Sequence, residues 1–146
     1  MVACVPTNPL LDLIILNEPV LISDVFDQTY FNLLLHSINN STKIFESSAK
    51  RHIVTGNELT ILKEAGEKLL PIAKKIFNNE KLISYDQICA HYEGEQSRLV
   101  RHKDVVPNIY VIDLCMYQKK PWDIFIENKS YSFDQNEALC FYPGNQ

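Results

Sequence analysis

A chain of 146 residues, 46% hydrophobic and 22% charged, has the balance of a soluble globular protein with one core, and a chain this long buries enough surface to fold without a disulfide or structural metal. Its formal charge of -4 and its scattered lysines and arginines, paired only briefly as in Lys74-Lys75 and Lys119-Lys120, exclude a protein that tracks nucleic-acid phosphates. Cys4, Cys89, Cys115 and Cys140 form no C-x-x-C pair, and the last three lie in apolar runs, so they read as small buried hydrophobes.

Nothing at the N-terminus resembles the basic start of a signal peptide. The apolar run 10–16 is broken by Asp12 and stopped by Asn17-Glu18-Pro19, too early for a membrane span, so the expected location is the cytoplasm. Runs 10–16 and 19–23 read as two short strands, or one strand with a break at Asn17-Glu18-Pro19. Asp27 is an expected N-cap, followed by Phe31, Leu34, Leu35 and Ile38 at helical spacing up to Asn39-Asn40-Ser41. From Ser41 to Asn57 the sequence is polar and aperiodic, which predicts a loop with at most one strand around Ile53-Val54. Thr55 and Glu58 are spaced as a capping box, with Asn57 a competing cap. Leu59, Leu62, Leu69, Ala73, Ile76 and Phe77 then carry an apolar stripe, and Pro71 is expected to kink that helix or open a second one.

Beyond residue 80 the character turns to β, with expected strands at 86–93, 99–102, 110–117, 122–126, 130–133 and 138–142. Closely spaced strands suggest a sandwich, barrel or jelly roll, and two preceding helices would cover one face of the sheet and leave the other for a pocket. The expected architecture is α+β, one domain over 1–146 with helical support in 1–80 and the β core in 81–146.

The segment richest in chemistry runs from Cys89 to Asp104. His102 and Asp104 stand two apart, so in an extended chain both side chains leave the same face, as two of the three ligands of a 2-His-1-carboxylate site do. With four histidines and eight aspartates, H-x-D arises by chance about 0.2 times in such a chain. An exposed His and Asp at a strand end is the plainer reading, and the context decides between them. Tyr92 ends a strand at Gly94, a polar loop precedes His102, and a long apolar strand follows Pro107-Asn108. Later come Pro121-Trp122-Asp123-Ile124-Phe125-Ile126-Glu127 and Glu137-Ala138-Leu139-Cys140-Phe141-Tyr142.

In these segments, and in the opening at Pro19-Val20-Leu21-Ile22-Ser23-Asp24-Val25-Phe26, the chain resembles the 2-oxoglutarate- and iron(II)-dependent dioxygenases of the prolyl-hydroxylase-like branch. Asn136-Glu137 stands where that pattern has Gly-Asp. The resemblance implies a double-stranded β-helix, or jelly roll, with N-terminal helices packed on one face. It also implies an oxygenase that hydroxylates a small-molecule or peptidyl substrate while 2-oxoglutarate is decarboxylated to succinate. His102 and Asp104 would hold Fe(II). Tyr92, Tyr117 and Cys115 would line the 2-oxoglutarate pocket, although both tyrosines also fit ordinary core or rim positions.

The family's third ligand, a histidine, and its basic partner for 2-oxoglutarate follow the strand matching 138–142. The sequence ends at Gln146 before either, so the expectation is a C-terminally truncated or degenerate site. His36, His52 and His91 lie upstream, where the family has no ligand. Arg98 and Arg101 are candidates to meet an anionic substrate, or are exposed loop residues. Asp113 is unusual in an apolar strand and either has a partner or is solvated. Trp122, the sole tryptophan, is expected to plug the end of the barrel rather than stack on substrate. Two rival readings remain, a non-catalytic β-helix interaction module and a cupin-like small-molecule binder. Neither the oligomeric state nor the substrate is legible.

Overall fold

The structure, a computed structural model, describes residues 2–6, 18–95, 97 and 110–142. The runs expected as strands at 10–16 and 99–102 lie outside these residues, as do Arg98, Arg101, His102 and Asp104.

The element order is β1 (Val2–Pro6), β2 (Val20–Ile22), α1 (Gln28–Asn39), β3 (Ile44–Glu46), β4 (Arg51–Thr55), α2 (Thr60–Ile76), β5 (Leu82–Tyr92), β6 (Tyr110–Leu114), β7 (Ile124–Ile126), β8 (Lys129–Tyr131) and β9 (Ala138–Phe141). Seven strands form one antiparallel sheet in the order β2-β9-β6-β1-β5-β4-β3, and β7 and β8 form a separate ribbon. The fold is therefore α+β, and among the described residues the sheet does not close into a barrel. No helix among them is long and apolar enough to cross a membrane.

Helix α1 starts as expected. The Asp27 carboxylate accepts from the Tyr30 N–H at 2.9 Å, and Phe31, Leu34 and Ile38 make the buried stripe. Helix α2 begins later than its capping box suggests. Glu58 does bond the backbone and hydroxyl of Thr55, but Thr55 still belongs to β4, and Gly56 N–H donates to Gln87 O at 2.9 Å. The box thus closes a strand-to-helix turn, and the N-cap is Leu59, without a side-chain bond.

Pro71 opens no second helix, since α2 runs unbroken to Ile76. Pro71 and Glu67, whose carbonyl loses its N–H partner, both lie on the exposed side, where water can serve that carbonyl.

Two differences in the β regions have local causes. Residues 44–55, expected as a loop with one strand, form the β3–β4 hairpin. Its outer strand buries neither face, with Ile44 60% and Phe45 55% exposed, so it carries no alternating pattern. Strand β5 starts at Leu82 rather than 86 because its register with β1 jumps from Ser84 to Asp86, a bulge that inserts Tyr85 and reverses the alternation.

The helices cover one face of the sheet. Phe31, Leu34, Leu62, Leu69, Ala73 and Phe77 pack with Val54, Leu82, Tyr110, Ile112, Ala138 and Cys140. On the opposite face Val111, Leu139 and Phe141 are covered by Ile126 and Phe133 from the ribbon and the segment after it. The β7–β8 turn has Glu127 at φ 49° and Asn128 at φ 70°, the left-handed pair a tight hairpin needs.

Gly66 marks the closest approach of α2 to β5. A Cβ there would stand 2.6 Å from Gln87 Cγ and 2.8 Å from Ser84 Oγ. Alanine normally gains about 1 kcal/mol over glycine inside a helix, but overpacking at such distances costs about 1–3 kcal/mol. Gly66→Ala is therefore expected to lower the urea midpoint, and a raised midpoint would show that Gln87 yields without cost.

Candidate functional site

Strand alternation sorts the candidate residues by face. Cys89 and Val54 pack among the helices, so Tyr92 and its cross-strand partner Arg51, each three residues away, project from the helix-free face. On β6, Tyr110, Ile112 and Leu114 turn to the helices, while Val111, Asp113 and Cys115 turn the other way. Tyr92, Asp113 and Cys115 thus share one face of the sheet. Tyr117 does not join them within a strand, for β6 ends at Leu114 and the Tyr117 side is 67% exposed.

Tyr92 is held from two sides. Arg51 Nη1 donates to its hydroxyl at 2.7 Å, and the guanidinium carbon lies 5.7 Å from its ring centroid. Arg51 Nε in turn donates to Glu46, its partner across the β3–β4 register. Burial works against the charge on Arg51, but the bonds to Glu46 and Tyr92 outweigh it and the pKa is raised. The Arg51 bond is also what holds the Glu46 carboxyl below its ordinary range. Among the described residues Trp122 meets no closed barrel end to plug. It is 48% exposed, with its ring 5.3 Å from that of Tyr92 and inclined by 33°.

The chain leaving β5 is pinned before it reaches the H-x-D segment. Buried Ser97 donates to Lys50 O at 2.6 Å, in the β3–β4 turn, and receives the Glu93 N–H at 3.2 Å. Because β5 and β6 both pair antiparallel with β1, they run parallel to each other, and Tyr92 and Tyr110 lie toward opposite ends of the sheet. The sequence reading missed Arg51, Glu46 and Ser97. The only available signal was a Glu and an Arg flanking a four-residue turn, which a segment read as a loop does not reveal.

Two groups on the helix-free face are perturbed. Burial pushes the half-buried Asp113 carboxyl above its ordinary range. Burial, then the charges of Asp113, Asp134 and Glu137, pushes the Cys115 thiol up to about 11 from 9.0. The folded protein therefore holds this proton more tightly than the unfolded chain. The stability so contributed is complete below about pH 9 and is lost as pH rises through about 11. The urea midpoint of the wild type is expected to fall more steeply across that window than that of Cys115→Ala, and parallel profiles would refute the shift.

Cys89 and Cys115 carry free thiols, and Cys140 is fully buried, as expected of small core residues. No group of three or more His, Cys, Asp or Glu side chains able to hold a metal occurs among the described residues. A cleft of about 270 Å³ lined by Glu67, Leu70, Pro71, Lys74, Lys75 and Glu80 lies on α2, across the sheet from Tyr92. It has no part in this arrangement. Comparison with protein-family models, curated proteins and solved structures finds no match.

Proposed function

We propose that this chain is an iron(II)- and 2-oxoglutarate-dependent oxygenase of double-stranded β-helix type, acting on a small-molecule or peptidyl substrate. The observation that carries this reading is the H-x-D pair ten residues beyond Tyr92 in sequence, Tyr92 being the last residue of a strand and projecting from the face the helices leave open. One imidazole and one carboxylate, His102 and Asp104, suit two of the three protein positions of such an iron site.

Bound iron(II) and 2-oxoglutarate would supply the oxidising chemistry. The chain's own share is to bind, orient and keep out water. Ser97 fixes where the metal-bearing segment departs from the sheet. Tyr92 offers a hydroxyl on the open face, and Trp122 packed on its ring shields that end from solvent. Cys115, kept as a neutral thiol, lines the face beside Asp113 without adding a charge of its own.

Anaerobic calorimetry with iron(II) and 2-oxoglutarate tests the reading. Saturable iron binding is expected in the wild type and is expected to vanish in His102→Ala and Asp104→Ala. Equal affinity in all three proteins, or no binding in any, would remove the metal site and leave the non-catalytic β-helix module as the better account.

A further inference from the structure

The side chains of Glu46, Arg51 and Tyr92 lie side by side across β3, β4 and β5, one residue per strand in direct register. Each link has a fixed direction. Arginine only donates, so Arg51 presents Nε to the Glu46 carboxylate and Nη1 to the Tyr92 oxygen. A phenolic O–H lies near the plane of its ring and has two favourable orientations. With a guanidinium N–H occupying one side of the oxygen, the Tyr92 proton is turned to the other.

The Arg51 bond is the hydroxyl's only hydrogen bond among the described residues. The tyrosine is thus left as a donor with one free direction, polarised by the adjacent positive charge. The arginine side chain is only 16% exposed and already pinned by Glu46, so it is poorly placed to leave Tyr92 and meet a ligand itself. What suits the outward O–H is an acceptor that is anionic and small.

We propose that Arg51, held by Glu46, is a positioning residue that sets the Tyr92 hydroxyl as a one-directional donor to a carboxylate bound on the helix-free face. Naming that carboxylate as one belonging to 2-oxoglutarate rests on the proposed function. The donor arrangement itself does not.

Trp122 reports on the site, being the only tryptophan and lying 5.3 Å from the Tyr92 ring. Its fluorescence would be titrated with 2-oxoglutarate, with and without iron(II), in the wild type, Tyr92→Phe, Arg51→Ala, Arg51→Lys and the Tyr92→Phe/Arg51→Ala double variant. Each single loss is expected to weaken binding about tenfold. The double variant is expected to bind no more weakly than Tyr92→Phe alone, because Arg51 acts only through that hydroxyl. Arg51→Lys, which retains a donor, should recover part of the loss and also guards against misfolding of the alanine variant.

Multiplying effects in the double variant would overturn the proposal by showing that Arg51 meets the ligand directly. So would Arg51→Ala binding like the wild type, or a wild type that does not respond. The same titration in His102→Ala separates this inference from the oxygenase reading. A response that survives there, and without iron, sustains the donor arrangement while the oxygenase reading falls.

Discussion

Asn136→Ala is expected to lower the stability of the protein by about 2–6 kcal/mol, through two unsatisfied backbone groups of one distant residue. Asn136 sits at φ 61°, and its buried side chain clamps a backbone 110 residues away, Oδ1 accepting from Phe26 N–H at 3.1 Å and Nδ2 donating to Phe26 O at 2.8 Å. Its main chain adds bonds to Val25 and Cys115. Alanine would leave two buried backbone groups of Phe26 unsatisfied, at about 1–3 kcal/mol each. Alanine keeps the Cβ that asparagine already holds in the left-handed region, and loses the polar side chain that helps asparagine adopt it. Asn136→Gly removes the clamp but suits the backbone, so its loss should be smaller than that of alanine by about 1–2 kcal/mol. Urea unfolding of both variants distinguishes the terms. Equal losses for alanine and glycine would mean that the backbone conformation carries no cost, and a loss below 1 kcal/mol in both would mean that the clamp contributes little.

Phe77→Ala is expected to cost about 3–5 kcal/mol for a different reason, the loss of buried apolar volume. Phe77 follows the last turn of α2, is wholly buried, and packs its ring 4.5 Å from that of Tyr110 in the centre of the sheet. Phe77→Leu should recover most of the loss, since the remaining cavity is then a few atoms. A wild-type midpoint for Phe77→Ala would place the ring outside the core.

Both helices were legible because each buries a single face, and a single buried face prints its period in the residue order. Strands β6 and β9 were legible for the converse reason, being short runs buried on both sides and bounded by turn residues. The β3–β4 hairpin was not, since exposed Ile44 and Phe45 give no alternation to detect. The first residues of β5 were hidden by the extra Tyr85, which flips the pattern halfway along. The second helix allowed for at Pro71 did not form, because local chemistry names the cost of a proline but not which side of the helix will face water.

For the site, Tyr92 could be singled out by its place before the H-x-D segment, yet its alignment with Arg51 depends on a cross-strand register that pairs residues 41 apart. Asn136, read as a departure from Gly-Asp, takes the same left-handed backbone a glycine would and adds a tether that glycine lacks.

The central position of β1 imposes an order of events on the growing polypeptide. Residues 2–6 are synthesised before either neighbour, and the pairings of Val2 with Gln87 and with Ile112 require the ribosome to have passed residue 112. Until then this segment has an unmet appetite for strand partners on both edges. Such long-range closure is slow, and in a crowded cell it exposes the nascent chain to pairing with the wrong molecule or to capture by a chaperone. Yield from a cell should therefore depend on elongation rate and temperature more than the finished protein's stability alone would suggest.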